Sequence, residues 1–160
     1  MKKLTTLLLV AALALTALTG CFGRGNAQPV KDDGEITVFA PDSMKDALTE
    51  AALSYTNVDK NPQNKAVSIL LHFETEEELK KMLDGGSYCD LFLYSGELQL
   101  AAISTEQILK GPGANGEDAL YSVSLITNSD RQEVAKAFVE YLKGADAQQA
   151  LSGYGFTNEL

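Results

Sequence analysis

The sequence predicts an α/β fold: a mostly parallel sheet in three layers, with helices on both faces. Three observations carry this. Short β-branched and aromatic runs alternate with stretches whose apolar residues recur at helical spacing, a pattern that implies parallel strands joined by crossover helices. Gly, Pro and Asn clusters punctuate the runs where connections are needed. The chain has 160 residues, 45% of them hydrophobic, enough to bury one real core but little more.

Residues 1–20 read as a leader. Lys2 and Lys3 form a positive start, and residues 4–19 are an uncharged apolar run. That run falls short of the about 20 apolar residues a comfortable membrane span needs, so a cleavable signal peptide is the expectation. Leu18-Thr19-Gly20-Cys21 is similar to a bacterial lipobox, in which the cysteine thiol takes a lipid and becomes the new N-terminus. The alternative is an ordinary signal peptide with a chance cysteine. Cys21 is thus the expected lipidation site. Acyl chains hold a protein at a membrane through about 0.8 kcal/mol per buried CH₂, which places the chain on the extracytoplasmic face of the cell membrane. Residues 21–34 hold Gly23, Gly25, Pro29 and Gly34 with no periodicity, and read as a flexible tether. With Cys21 acylated, Cys89 is the only free thiol, and its apolar neighbours suit a small buried residue better than a nucleophile.

The globular part spans 35–160. Ile36–Ala40 is a strand ended by Pro41. Ser43 opens a helix with Met44, Ala47, Leu48, Ala51, Ala52 and Tyr55 on its inner face, and Ser43-x-x-Asp46 resembles a capping box. Residues 57–65 are a loop. Residues 66–73 form a second strand. Thr75 caps the next helix, with Glu78 at its third position, Leu79, Met82 and Leu83 inward, and Gly85-Gly86 as the stop. Asp90–Tyr94 is a third strand. Leu98, Ala101, Ala102 and Ile108 suggest a helix over 97–109. Residues 111–118 (GPGANGED) are the strongest break in the chain. Residues 119–127 then form a strand. A helix starts at Ser129 or Asp130 with Val134, Ala137, Phe138, Tyr141 and Leu142 inward, and ends at Gly144. A last short helix runs over 146–154.

Charge narrows function. The chain carries 13 basic and 22 acidic residues, net −9. Nucleic-acid binding needs a basic face to displace counterions from phosphates, so the acidity argues against that class and, more weakly, against tight capture of a small anion. No nucleophile–base–orienter set, phosphate-binding glycine loop, cofactor motif or metal-ligand spacing is visible, so an enzyme is not expected. His72, the only histidine, alternates within an apolar strand and suits a structural role. Glu74 and Glu76–Glu78 either complement a helix N-terminus or, less simply, bind a hard cation such as Ca²⁺. Consecutive helical residues point around the axis, which disfavours the cation.

The segments in order resemble one family. Ile36-Thr37-Val38-Phe39-Ala40 followed by Ser43, Asp46, Ala47 and Leu48 resembles the opening of bacterial molybdate-binding proteins, the solute receptors of molybdate ABC importers. Phe73 and Leu79 flank the position of that family's second serine-bearing turn. Asp90–Leu93 is similar to its third strand. Tyr121–Leu125, Ala135–Leu142 and Tyr154–Thr157 are similar to its closing segment. The resemblance implies a type II periplasmic-binding-protein-like fold, normally two lobes that clamp an oxyanion between them. The resemblance implies that the second lobe is absent here, with 111–118 standing where it would be inserted. The resemblance makes Ser43 and Thr75 the ligand-binding candidates. It also places Glu76 at the second serine's register and Asp42 beside the first. Like unit charges at about 4 Å repel by about 1 kcal/mol in water and several times more where water is excluded. Helix capping without ligand binding is the alternative for both hydroxyls.

Two functions follow. The first is a membrane-anchored oxyanion receptor of an ABC permease, shortened to one lobe, with weakened or lost binding of molybdate or a related oxyanion. The second is a non-binding interaction module that uses its exposed cleft face to contact a permease, another receptor or a second copy as a homodimer.

Overall fold

Five strands form one sheet in the order β2-β1-β3-β5-β4. They are β1 (Glu35–Pro41), β2 (Ser68–Glu74), β3 (Leu91–Ser95), β4 (Ala102–Pro112) and β5 (Asp118–Ile126). The structure is a computed structural model that describes residues 34–56 and 67–160. The expected leader, Cys21, all of the tether but Gly34, and the loop 57–65 lie outside the described residues. Strands β2 and β3 run parallel to β1. β5 is antiparallel to β3, and β4 is antiparallel to β5. Only β5 therefore opposes the common direction, so the sheet is mixed but mostly co-directional.

Helices cover both faces. On one face lie α1 (Lys45–Thr56), α3 (Gln132–Leu142) and α4 (Ala145–Leu151). Their Leu48, Tyr55, Phe138 and Leu151 pack with Ile36, Val38, Leu91 and Leu93 in the main core. On the other face α2 (Glu76–Asp84) sets Leu79 against Phe39, Phe92 and Tyr94. The division follows from the pleat: successive residues of a strand point to opposite faces. Leu91 and Leu93 enter one core while Phe92 and Tyr94 enter the other.

Most expected elements stand where their patterns place them, within a residue or two at their ends. Residues 97–109 differ. They form no helix; the strand β4 begins at Ala102, while Leu98 and Leu100 pack against the second core. The register of β4 on β5 slips between Ala102 and Ser104 and again between Gln107 and Leu109. The second irregularity leaves consecutive Ile108 and Leu109 both buried. Bulges of this kind erase the alternation that marks a strand, so spaced apolar residues imitate a helix. The break at 111–118 closes into a hairpin. Gly113 donates to the Glu117 carbonyl and Gly116, at φ 79°, donates back to Gly113. Pro112 pairs directly with Asp118 across the turn.

Candidate functional site

The common strand direction gathers four carboxyl ends at one edge of the sheet. Pro41 ends β1, Glu74 ends β2, Ser95 ends β3 and Pro112 ends β4. In open α/β sheets this edge, where the chain reverses its direction of travel across the sheet, is the usual ligand crevice. An open cleft of about 590 Å³ lies there, with Asp42, Ser43, Thr75, Glu76 and Ser95 on its walls and Pro112–Ala114 at its rim.

Both candidate hydroxyls therefore line one cleft. Ser43 sits in a 3-10 turn (Asp42–Met44) that joins β1 to α1, and Pro41 holds the cap position of that turn. The Ser43 side chain does not cap its helix. It meets the Tyr121 hydroxyl at 2.8 Å, and Tyr121 donates its single proton to the Pro112 carbonyl at 2.6 Å. Ser43 must then be the donor to Tyr121. Burial is the main cause that raises the Tyr121 pKa; the Ser43 bond opposes it and the Glu76 charge adds to it.

Thr75 does cap. Its Oγ1 accepts the Glu78 N–H at 3.3 Å and donates to Glu78 Oε2 at 2.9 Å. Glu76 turns away from its own helix and accepts the Ser95 N–H at 2.6 Å. Tyr121 and Ser95 were not among the expected site residues. The alternation of small and large residues over Tyr121–Leu125 marks a strand, but does not show that its first residue reaches a serine 78 positions earlier.

Two other candidates lie apart. His72 stacks edge-on against Phe39 at a centroid distance of 5.4 Å and does not line the cleft. Cys89 is buried, and its thiol pKa is pushed up to about 12, chiefly by burial and secondly by the Asp90 charge. Among the described residues, no group of three or more His, Cys, Asp or Glu side chains is arranged to hold a metal ion.

The family model for bacterial extracellular solute-binding proteins matches residues 107–157, which run from the end of β4 through the C-terminal helices. The chain is 31% identical over 122 residues to the molybdate-binding protein ModA of Haemophilus influenzae, an alignment covering 69% of this chain and 41% of that relative. The chain thus spans less than half of that protein's length. A solved structure described as the substrate-binding domain of a molybdenum ABC transporter from Clostridium difficile superposes with a TM-score of 0.61 at 14% identity, covering 79% of this chain and 99% of that one. The sulfate-binding protein SubI of Mycobacterium tuberculosis gives a TM-score of 0.59 at 8% identity, with 79% and 87% covered. Identities this low establish the fold, which is periplasmic-binding-protein-like. Beside that shared fold, the sequence similarity to a molybdate-binding protein extends over 122 residues of this chain.

Proposed function

We propose that this chain is the one-lobed form of an oxyanion receptor that served an ABC permease, held at the membrane surface through Cys21, with binding weakened in the present sequence. The observation that carries the reading is the shared cleft: Ser43 and Thr75, on two separate strand–helix turns, line one cavity at the carboxyl edge of the sheet. Two-lobed receptors close around a ligand, exclude water and supply donors from both sides. Here β4 passes into β5 through a tight turn, and the cleft is walled by one sheet edge. Molybdate and sulfate are the ligands suggested by the relatives' names.

Calorimetry of the purified chain with molybdate, tungstate and sulfate tests the binding claim. Millimolar or weaker affinity is expected; a micromolar signal from the monomer refutes the claim of weakened binding. Loss of labelled fatty acid in Cys21→Ser tests the anchor.

A second reading, the non-binding interaction module, is favoured by one feature of the same cleft: the Ser43 and Thr75 hydroxyl protons are already given to internal acceptors. A permease, another receptor or a second copy would then cover the face. Light scattering separates the cases, since a homodimer doubles the mass and a monomer without a captured permease argues against the module.

A further inference from the structure

A glutamate in the first turn of a helix ordinarily favours its own helix's free N–H groups or points into water. Glu76 does neither. Its Oε1 reaches across to the backbone N–H of Ser95 at 2.6 Å, at the short end of charge-assisted hydrogen bonds. The two residues belong to different elements, α2 and β3, and both line the cleft that holds Ser43. The Glu76 charge is also felt by Tyr121, the partner of Ser43. A carboxylate therefore stands among the groups that would face a bound ligand.

Three donors of these walls can be followed to their acceptors. The Ser43 proton goes to Tyr121, because the Tyr121 proton goes to Pro112. The Thr75 proton goes to Glu78. The Ser95 amide goes to Glu76. At these three groups an incoming dianion meets donors whose protons are already shared, and a carboxylate on the Ser95 amide.

We propose that the Glu76 carboxylate is an internal surrogate for an oxyanion: it occupies the Ser95 amide and sets the cleft against external dianions. The proposal rests on the oxyanion-receptor reading and deepens it, because the weakness of binding is then due in large part to one side chain as well as to the missing lobe.

The test uses the full chain and three variants. Glu76→Gln keeps the shape and removes the charge. Glu76→Ala removes the acceptor too. Glu77→Gln, on the same turn but paired with Lys81 at the surface, controls for net charge. Two quantities are measured: sodium molybdate affinity by calorimetry, and the Ser95 amide proton shift by NMR, whose spectrum also reports folding. The expected result is an upfield move of the Ser95 amide in Glu76→Ala, at least a tenfold gain in molybdate affinity in both Glu76 variants, and less than a twofold change in Glu77→Gln. An unmoved Ser95 amide overturns the proposal, as does an equal gain in Glu77→Gln. Weak and equal binding by all four proteins overturns the surrogate while the receptor reading stands. No oxyanion signal from any of them overturns the surrogate, and micromolar binding by the parent chain overturns both.

Discussion

Ser43 and Tyr121 meet hydroxyl to hydroxyl at 2.8 Å although 78 residues separate them. The contact ties the turn after β1 to the start of β5, and through Tyr121 to the Pro112 carbonyl beside the hairpin turn. It fixes the open wall of the cleft and at the same time uses the serine proton that a ligand would want.

Tyr121→Phe removes both hydrogen bonds and leaves the ring in place against Phe156. Each neutral bond contributes about 1 kcal/mol net. We expect Tyr121→Phe to lower stability by about 1–2 kcal/mol and Ser43→Ala by about 1 kcal/mol, both as shifts in the urea midpoint at constant slope. The double variant should lose less than the sum, since one bond is shared. Strict additivity would show that the two hydroxyls do not interact in solution.

Gly111 precedes Pro112 on β4. A Cβ there would lie 2.3 Å from Phe156 Cδ1 and 2.7 Å from Cγ. That ring is buried against Tyr121 and has little room to turn. Overpacking of this kind costs about 1–3 kcal/mol, and Gly111→Ala should show it in thermal and urea unfolding. Phe156→Leu should recover part of the loss in the double variant. A Gly111→Ala protein as stable as the parent would mean that Phe156 is loosely held.

The fold was legible where one rule dominates locally. Ile36–Ala40 and Leu91–Tyr94 are strands because short runs of aliphatic and aromatic residues fill both faces of a central strand. Thr75 and Glu78 mark a helix start that the structure realises through side chain and backbone. The helix expected over 97–109 is absent because two register slips break the alternation of β4, and the partner that makes it a strand, β5, lies beyond the turn. The site was legible in the same uneven way. Ser43 and Thr75 each follow a strand and precede a helix, so their place at the carboxyl edge can be read from order alone. The Glu76–Ser95 and Ser43–Tyr121 contacts depend on which strands are neighbours, and no local pattern carries that.

Cys89 offers a check on the second core. Its folded pKa of about 12 lies well above the usual thiol range near 8.5, so the folded thiol stays protonated through mildly alkaline pH. Below the unfolded pKa the two states bind the same proton and nothing is lost. Above it the unfolded chain releases the proton and the folded chain keeps it, so stability falls as pH rises toward 12. Cys89→Ala should flatten that part of the profile, with the tyrosines supplying what remains. In a Cys21→Ser chain at pH 8, native Cys89 should resist iodoacetamide and unfolded Cys89 should react at once. Rapid labelling of the native state would show that the core around Cys89 opens readily.

Asp90 adjoins that thiol and is itself buried. It accepts the Thr37 N–H at 2.8 Å, the Ser129 hydroxyl at 2.7 Å and the Tyr88 hydroxyl. It therefore joins β1, the entry to β3 and the approach to α3 through one carboxylate. A buried charge is tolerable only when its lone pairs are filled, and here three donors converge on it. Asp90→Ala leaves the Thr37 N–H and the buried Ser129 hydroxyl without this acceptor and should cost about 2–6 kcal/mol, at about 1–3 kcal/mol for each buried group left unsatisfied. Asp90→Asn keeps one oxygen but presents an NH₂ to donors, so it should recover little. The same contacts predict where the damage spreads: amide exchange should quicken at Thr37 and through α3 before it does in β2, which Asp90 does not touch. Uniform acceleration across the sheet would place Asp90 in global stability rather than in this junction.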